Sequence, residues 1–165
     1  MSQGRSQDGF AEGYAVTIAQ HNGGWLVREF DDSFRRLATS VGAVRALRAE
    51  GAAFALLNVE EDFFVIVRPG PSRIRLLLSD ATMAVDDDFA AEIAEEAGIE
   101  IPDIDPAELD DVEGYADGDF AILADLGLGE ESLSVLVDPD EDPHAVIESI
   151  AEHLGFADEL DDALG

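Results

Sequence analysis

Three sets of side chains in this sequence could do chemistry: three histidines, 38 carboxylates and nine arginines, in a chain of 165 residues that has no cysteine. His21 lies in a predicted turn. His144 and His153 are nine residues apart and cannot share one face of a helix. No HxxxH or HxE spacing occurs, and no Gly-rich phosphate loop or GxSxG turn follows a predicted strand. We therefore expect no catalytic residue, no cofactor and no metal site, and we predict that the protein is not an enzyme.

One acidic run comes close to a calcium-binding loop. Asp138, Asp140 and Asp142 occupy the first, third and fifth positions of the EF-hand pattern. The pattern then fails, because Pro143 stands where the loop needs glycine and Ser149 stands where it needs a bidentate glutamate. We interpret the run as a turn with exposed acids, in which Asp142 caps the helix that follows.

The acids near the C terminus are the candidate binding residues. Helices are predicted over 144–154 and 157–164, and their pattern fits either a small cap with its own core or a surface that docks a basic partner. Both interpretations stay open from the sequence. The candidate partner-binding residues are Asp138, Asp140, Glu141, Asp142, Glu148, Glu152, Asp158 and Glu159.

The charge is divided unequally along the chain. All nine arginines lie at or before residue 75, where nine acids balance them, whereas residues 76–165 hold 29 acids and no basic residue. The formal net charge of −29 therefore belongs entirely to the second half. Because this half would repel a polyanion, we expect no direct binding of nucleic acid. For the arginines we favour pairing with carboxylates over a phosphate-binding patch.

No segment predicts a membrane association. The longest apolar runs, Phe63–Val67 and Leu76–Leu78, are far shorter than the roughly 20 residues of a membrane-spanning helix. The start of the chain, MSQGRSQDGFAEG, lacks the apolar stretch of an export signal. We expect a cytoplasmic protein without a membrane partner, and the oligomeric state stays open.

The spacing of apolar and turn residues predicts the elements that must position these side chains. In chain order, these elements are strands over 14–20 and 25–30 joined at Asn22-Gly23, a helix capped by Asp31-Asp32-Ser33 that runs to about Glu50 and stops at Gly51, strands over 52–59, 63–68 and 73–79, and a helix over 89–97. Connections this short force antiparallel pairing. The order ββαβββα predicts an α+β fold with a five-stranded antiparallel sheet, profilin-like or roadblock/longin-like in outline, followed by a small acidic helical region.

Composition suggests four segments. Residues 1–13 are a flexible N terminus, 14–97 form the α+β sheet domain, 98–119 form an acidic linker and 120–165 form a region of short helices. The linker is expected to be extended and partly mobile. The last region is too short for a confident core of its own, so its helices should dock on each other, on the sheet or on a partner.

Several stretches, read together, resemble the tRNA adenosine deaminase-associated protein family of actinobacteria. They are GWLVREFDD (24–32), LLNVEEDFFVIVRPGP (56–71), LLLSDATMAVDDDFAAEI (76–93), DFAILADLGL (119–128) and IAEHLGFADEL (150–160). The resemblance spans about residues 14–162. It implies association with a tRNA-editing deaminase and supplies no catalytic residues. The chain also lacks the His/Cys zinc ligands of the deaminase itself.

These observations lead to one expected function and its alternatives. We expect a non-enzymatic accessory protein that associates with a protein partner, the tRNA adenosine deaminase, through its acidic surface. The alternatives are an acidic nucleic-acid mimic that occupies the tRNA site of the partner, a domain that senses a small molecule, and an acidic surface that serves only solvation.

Overall fold

The computed structural model describes residues 13–30 and 36–165. Within them a six-stranded sheet forms, with the order β2-β1-β3-β4-β5-β6 and antiparallel pairing throughout. The strands are β1 (Gly13–His21), β2 (Gly24–Glu29), β3 (Ala53–Val59), β4 (Phe63–Pro69), β5 (Ile74–Leu78) and β6 (Asp117–Gly118). The α+β class and the antiparallel sheet are confirmed.

Five α-helices complete the described fold. They are α1 (Leu37–Ala46), α2 (Asp88–Ala97), α3 (Glu130–Leu136), α4 (Pro143–Leu154) and α5 (Ala157–Leu164). Short 3₁₀ turns lie at Ala81–Val85, Pro106–Asp111 and Ala124–Leu126. The order ββαβββα up to Ala97 is as predicted, because alternating strands and short turns leave little choice of topology. None of the helices in the described ranges is long and apolar enough to cross a membrane.

Both faces of the sheet are covered, so the molecule has three layers. Helices α1 and α2 pack on one face, around residues such as Leu57, Val65 and Ile93. The C-terminal helices α3–α5 pack on the other face, around residues such as Ile66 and Phe156. The consecutive apolar residues of β4 are accordingly buried on both sides, with exposed fractions of 0–1% from Phe63 to Val67. The acidic half therefore folds onto the sheet.

The sheet has six strands, and the prediction of five was wrong. The extra strand, β6, comes from the segment expected to be a linker, and it pairs Gly118 with Leu77 and Asp117 with Leu78. The sequence does not reveal this strand, because a strand of two residues is too short to show an alternating pattern of apolar side chains. Gly118 makes the pairing possible: its φ is +126°, and a Cβ there would lie 2.6 Å from the carbonyl oxygen of Leu76.

The first helix is shorter than predicted. Its proposed caps, Asp31, Asp32 and Ser33, lie outside the described residues, and the helix ends at Ala46 instead of near Glu50. Gly51 does not supply a left-handed stop. A Cβ at this position would lie 2.7 Å from Oε1 of Gln20, so a larger residue would have to displace the Gln20 side chain.

The N-terminal boundary also moves by one residue. Residues 1–12 of the predicted flexible N terminus lie outside the described part of the chain. Gly13, which was included in that segment, belongs to β1 and pairs with Val59. Its φ of +88° and a Cβ position 1.8 Å from the carbonyl oxygen of Asn58 leave no room for a side chain. Glycine at this position is therefore structural.

Candidate functional site

Two arginines attach the acidic half to the sheet. Arg68 on β4 and Arg75 on β5 are directly opposite each other in the register. Arg68 donates two hydrogen bonds to the carboxylate of Asp125, at 2.7 and 2.8 Å, and a third to the carbonyl oxygen of Ile122 at 2.7 Å. This fork uses the planar guanidinium in the geometry that suits a carboxylate best.

Arg75 holds the same segment one step closer to β6. It donates to Asp119 at 2.6 Å and to the carbonyl oxygen of Ala121 at 2.8 Å. Partial burial alone would raise the pKa of Asp119, but the hydrogen bond and the charge of Arg75 lower it. The hydrogen bond from Arg68 likewise lowers the pKa of Asp125. Two arginines are therefore engaged in holding the fold together, as carboxylate pairing predicted.

The predicted capping turn before α4 is present. The backbone N–H of Asp140 donates to Oδ1 of Asp138 at 3.0 Å, and the N–H of His144 donates to Oδ1 of Asp142 at 3.2 Å. Asp142 is thus the N-cap of α4, and Pro143 occupies the first turn, where its missing N–H has no cost. The carboxylates bind backbone amides of their own loop.

The eight candidate acids lie along the outer side of the C-terminal layer, and we call them the acidic face. Asp138, Asp140, Glu141 and Asp142 form the loop before α4, Glu148 and Glu152 lie one turn apart on α4, and Asp158 and Glu159 begin α5. Six of them are exposed; Glu148 and Glu159 are half-buried. Helix α4 spans about 18 Å, so it separates the loop acids from the pair on α5.

The junction between α4 and α5 is fixed against the sheet. Trp25 on β2 donates its indole N–H to the carbonyl oxygen of Leu154 at 3.1 Å. The Trp25 ring also packs on Phe156, with ring centroids 5.6 Å apart. Phe156 is fully buried and lies against Phe54 on the sheet. The outward direction of the acidic face is therefore set by a buried aromatic cluster on its inner side.

Sequence reasoning missed a polar cluster where the acidic face meets the sheet. Tyr14 on β1 and Asn58 on β3 are paired in register, and both are buried. The amide of Asn58 donates to the carboxyl group of Glu61, and Asn58 Oδ1 accepts from the Glu61 backbone N–H at 3.0 Å. The Tyr14 hydroxyl and Nδ1 of His144 are hydrogen-bonded at 2.6 Å. The cluster joins β1, the β3–β4 turn and the start of α4.

Two carboxyl groups of this cluster, those of Glu61 and Asp142, influence each other's ionisation. Burial, together with the hydrogen bond to Asp142 and its negative charge, raises the pKa of Glu61 to about 7. The hydrogen bond from Glu61 lowers the pKa of Asp142, which also accepts the N–H of His144. These opposite shifts favour a protonated Glu61 beside an ionised Asp142 in mild acid. The pair links the β3–β4 turn to the N-cap of α4.

The remaining groups of the cluster extend this network outward. Nε2 of His144 lies 3.4 Å from Oε2 of Glu148, one helical turn further along α4. Burial raises the pKa of Tyr14, and the nearby charges of Glu61, Glu148 and Asp142 add to the rise. The raised pKa keeps Tyr14 neutral. The network positions side chains around the start of α4.

A single sequence signal could have located the cluster. Asn58 is a polar residue inside the apolar stretch of β3, and such a residue needs a buried partner. Nothing in the sequence marks Glu61 as that partner.

In the parts of the chain that the structure describes, no three His, Cys, Asp or Glu residues converge so as to hold a metal ion.

Comparison with known proteins places the chain in a family. The sequence profile of the Rv3753c-like tRNA adenosine deaminase-associated proteins matches residues 13–157. Protein Rv3753c of Mycobacterium tuberculosis (strain ATCC 25618 / H37Rv) is 41% identical over 152 residues, which cover 90% of this chain and 86% of that protein. The chain belongs to the Rv3753c-like family. The resemblance seen in the sequence is thus confirmed.

The family match covers most residues of the candidate site. The Rv3753c-like profile covers the polar cluster and six residues of the acidic face, and it ends just before Asp158 and Glu159. No solved structure matches the chain.

Proposed function

We propose that this protein is a non-enzymatic, cytoplasmic accessory protein that binds a tRNA adenosine deaminase through the acidic face. The description of the family supports an association with such a deaminase. One observation supports the choice of surface. Arg68 and Arg75 pair with Asp125 and Asp119, whereas no ion pair among the described residues joins an arginine to the acidic face. The negative charge of that face is left for a partner.

The physical basis is electrostatic complementarity. A protein that holds tRNA needs clustered Lys and Arg for the phosphates, so its surface carries regions of positive potential. An acidic surface on a rigid layer attracts such a region and orients the encounter. Direct binding of RNA by this chain is not part of the proposal, because the same charges repel phosphate.

Co-purification with the deaminase of the same organism tests the proposal. The tagged full-length chain should retain the deaminase at about 0.05 M salt and release most of it at about 0.5 M salt, where screening shortens the range of the charges. Neutralising four acids of the face should weaken the complex about tenfold. The substitutions are Asp138→Asn, Asp140→Asn, Glu148→Gln and Glu152→Gln.

A matched control removes the same number of charges elsewhere. The substitutions Asp103→Asn, Glu108→Gln, Asp111→Asn and Glu113→Gln change four exposed acids in the segment between α2 and β6. This variant should bind the deaminase as the unmodified chain does. Equal weakening by both variants would mean that total charge matters and the acidic face does not. If the chain and the deaminase form no complex at low salt, the proposal is refuted.

Adding tRNA separates the proposed accessory role from mimicry of a nucleic acid. An accessory protein that binds beside the tRNA site leaves the deaminase able to hold tRNA and this chain together. Displacement of the chain by tRNA, in proportion to the tRNA added, would instead mean that the acidic face occupies the RNA site.

A further inference from the structure

The outer edge of β5 is only half covered by β6. Their pairing involves Leu77 and Leu78 of β5, and one more hydrogen bond runs from the backbone N–H of Asp119 to the carbonyl oxygen of Leu76 at 2.9 Å. The chain then turns away, because Oδ1 of Asp119 accepts the N–H of Ala121 at 3.0 Å. No described strand lies beside the edge at Ile74.

The backbone groups of Ile74 point to this vacated place. On β5 and its turn, Ser79 N–H donates to Phe64 and the carbonyl oxygen of Arg73 accepts from Gly70, so the odd-numbered residues face β4. In an antiparallel pair the direction alternates along the strand. The N–H and C=O of Ile74 are therefore directed away from β4, in line with the groups that bind β6.

A cleft of about 440 Å³ lies along this edge. One wall is the C-terminal end of α2 with the residues that follow it, from Glu96 to Glu100. The other wall consists of Arg73, Arg75 and the segment Asp117–Asp119. The floor is the edge of β5 at Ile74 and Leu76. The cleft therefore lies where a further strand segment would pair with β5.

The two walls differ in charge. Helix α2 ends here at Ala97, with Gly98 as its C-cap, and its last turn holds no basic residue to offset the partial negative charge of the last carbonyl groups. Glu96 and Glu100 are exposed beside it. On the other wall, Arg75 is paired with Asp119, and Arg73 is exposed. A cation is favoured beside α2, and an acidic or polar group beside Arg73.

We propose that the β5 edge binds an extended peptide segment of a partner protein. The segment adds to the sheet beside Ile74, takes two backbone hydrogen bonds from it, and places a Lys or Arg side chain against the end of α2. Side chains of an extended strand alternate between the two faces, so the neighbouring position of the peptide faces Arg73. The backbone supplies affinity, and the walls supply the preference for a basic residue next to an acidic or polar one.

Selection from a displayed library of random peptides of about ten residues tests the proposal on the full-length chain. Enriched peptides should carry one Lys or Arg within an alternating, strand-forming sequence, and their affinities are then measured by fluorescence anisotropy. The change Ile74→Pro removes the outward N–H and no hydrogen bond to β4, and should weaken binding about tenfold. Ile74→Ala, which keeps the N–H, should stay within about twofold.

A second variant keeps the test independent of folding at position 74. Glu96→Gln with Glu100→Gln changes exposed side chains only, and should weaken the enriched peptides several-fold while leaving their Lys→Gln counterparts unaffected. A library that enriches no peptide, or peptides that bind Ile74→Pro as well as the unmodified chain, would overturn the proposal. This edge is separate from the acidic face, so neither result bears on the deaminase complex.

A second copy of the chain is the competing occupant. Pairing of two β5 edges would give a dimer, which light scattering at micromolar concentration detects. A dimer that Ile74→Pro converts to monomer would assign the edge to self-association and overturn the peptide proposal. A monomer that binds the selected peptides supports it.

Discussion

Replacing Glu61 by glutamine should make this protein more stable at alkaline pH and leave it nearly unchanged in mild acid. The raised pKa of Glu61, about 7, means that this carboxyl group is protonated in mild acid and ionised at alkaline pH. Glutamine reproduces the protonated form: its carbonyl oxygen accepts from Asn58 and its amide donates to Asp142. The substitution therefore removes only the consequences of ionisation.

The magnitude follows from the pKa of Glu61, which rises from an ordinary value of 4.5 to about 7. Between these values the folded state holds a proton that the unfolded state has released, so the free energy of unfolding falls as pH rises. A tenfold change in proton affinity is worth about 1.4 kcal/mol, which sets an upper limit of about 3 kcal/mol. Glu61 is only half-buried, and solvent screening reduces this to about 1 kcal/mol.

Urea unfolding at about pH 5, 6, 7 and 8.5 measures the effect, and carboxyl NMR titration follows Glu61 directly. The difference in unfolding free energy between Glu61→Gln and the unmodified chain should grow by about 1 kcal/mol across this range. The stability that the lowered pKa of Asp142 contributes is lost only in stronger acid, so it does not interfere. Glu152→Gln, on the exposed side of α4, removes one charge outside the cluster and serves as control.

Two results would refute this reasoning. A difference that is independent of pH would mean that the pKa of Glu61 is not raised in the folded state. The same growth with pH in Glu152→Gln would mean that the general repulsion among the acids of this chain is responsible, and that the cluster has no special part.

Three further predictions concern the fold that supports the site. Arg68→Lys keeps the charge but loses the two-pronged hydrogen bond to Asp125, and should lower the free energy of unfolding by about 1–2 kcal/mol in urea titration. A loss no larger than that of Arg45→Lys would contradict the role of Arg68 in holding Asp125. Gly118→Ala should lower the free energy of unfolding by about 2–3 kcal/mol and speed hydrogen exchange along β6, because Gly118 has a positive φ and its Cβ would lie against the carbonyl oxygen of Leu76. An unchanged exchange pattern would argue against the pairing of β6 with β5. Asp142→Ala removes the N-cap of α4 and should lower the free energy of unfolding by about 1 kcal/mol. It should also lower the pKa of Glu61 in an NMR titration. An unchanged pKa would exclude an interaction between the two carboxyl groups.

Local features of this fold could be predicted because their causes lie within a few residues. Asn22 and Gly23 adopt φ values of 50° and 81° in the turn that their types predicted. Asp142 caps α4 through an amide two residues away. The consecutive apolar residues of β4 required cover on both faces, and they have it.

The β3–β4 turn shows where local reasoning ends. Glu60 and Glu61 adopt φ values of 56° and 61°, the same left-handed region as Asn22-Gly23, although neither residue favours it. The register of β3 and β4 imposes this turn, because Val59 pairs with Phe63 and leaves three residues between them. As a result, the β3–β4 turn places the carboxyl group of Glu61 against Asn58.

What the sequence by itself determined is the order of the elements up to Ala97, the antiparallel pairing of the first five strands, the absence of a recognisable catalytic motif and the division of charge between the two halves. Only the tertiary structure decided that the C-terminal helices cover one face of the sheet, that Arg68 and Arg75 hold the segment before these helices, and that Glu61 lies beside Asn58 and the start of α4. The reason is physical. Periodicity and turn chemistry act between near neighbours, whereas ion pairs, shifted pKa values and an added strand depend on which distant segments pack together.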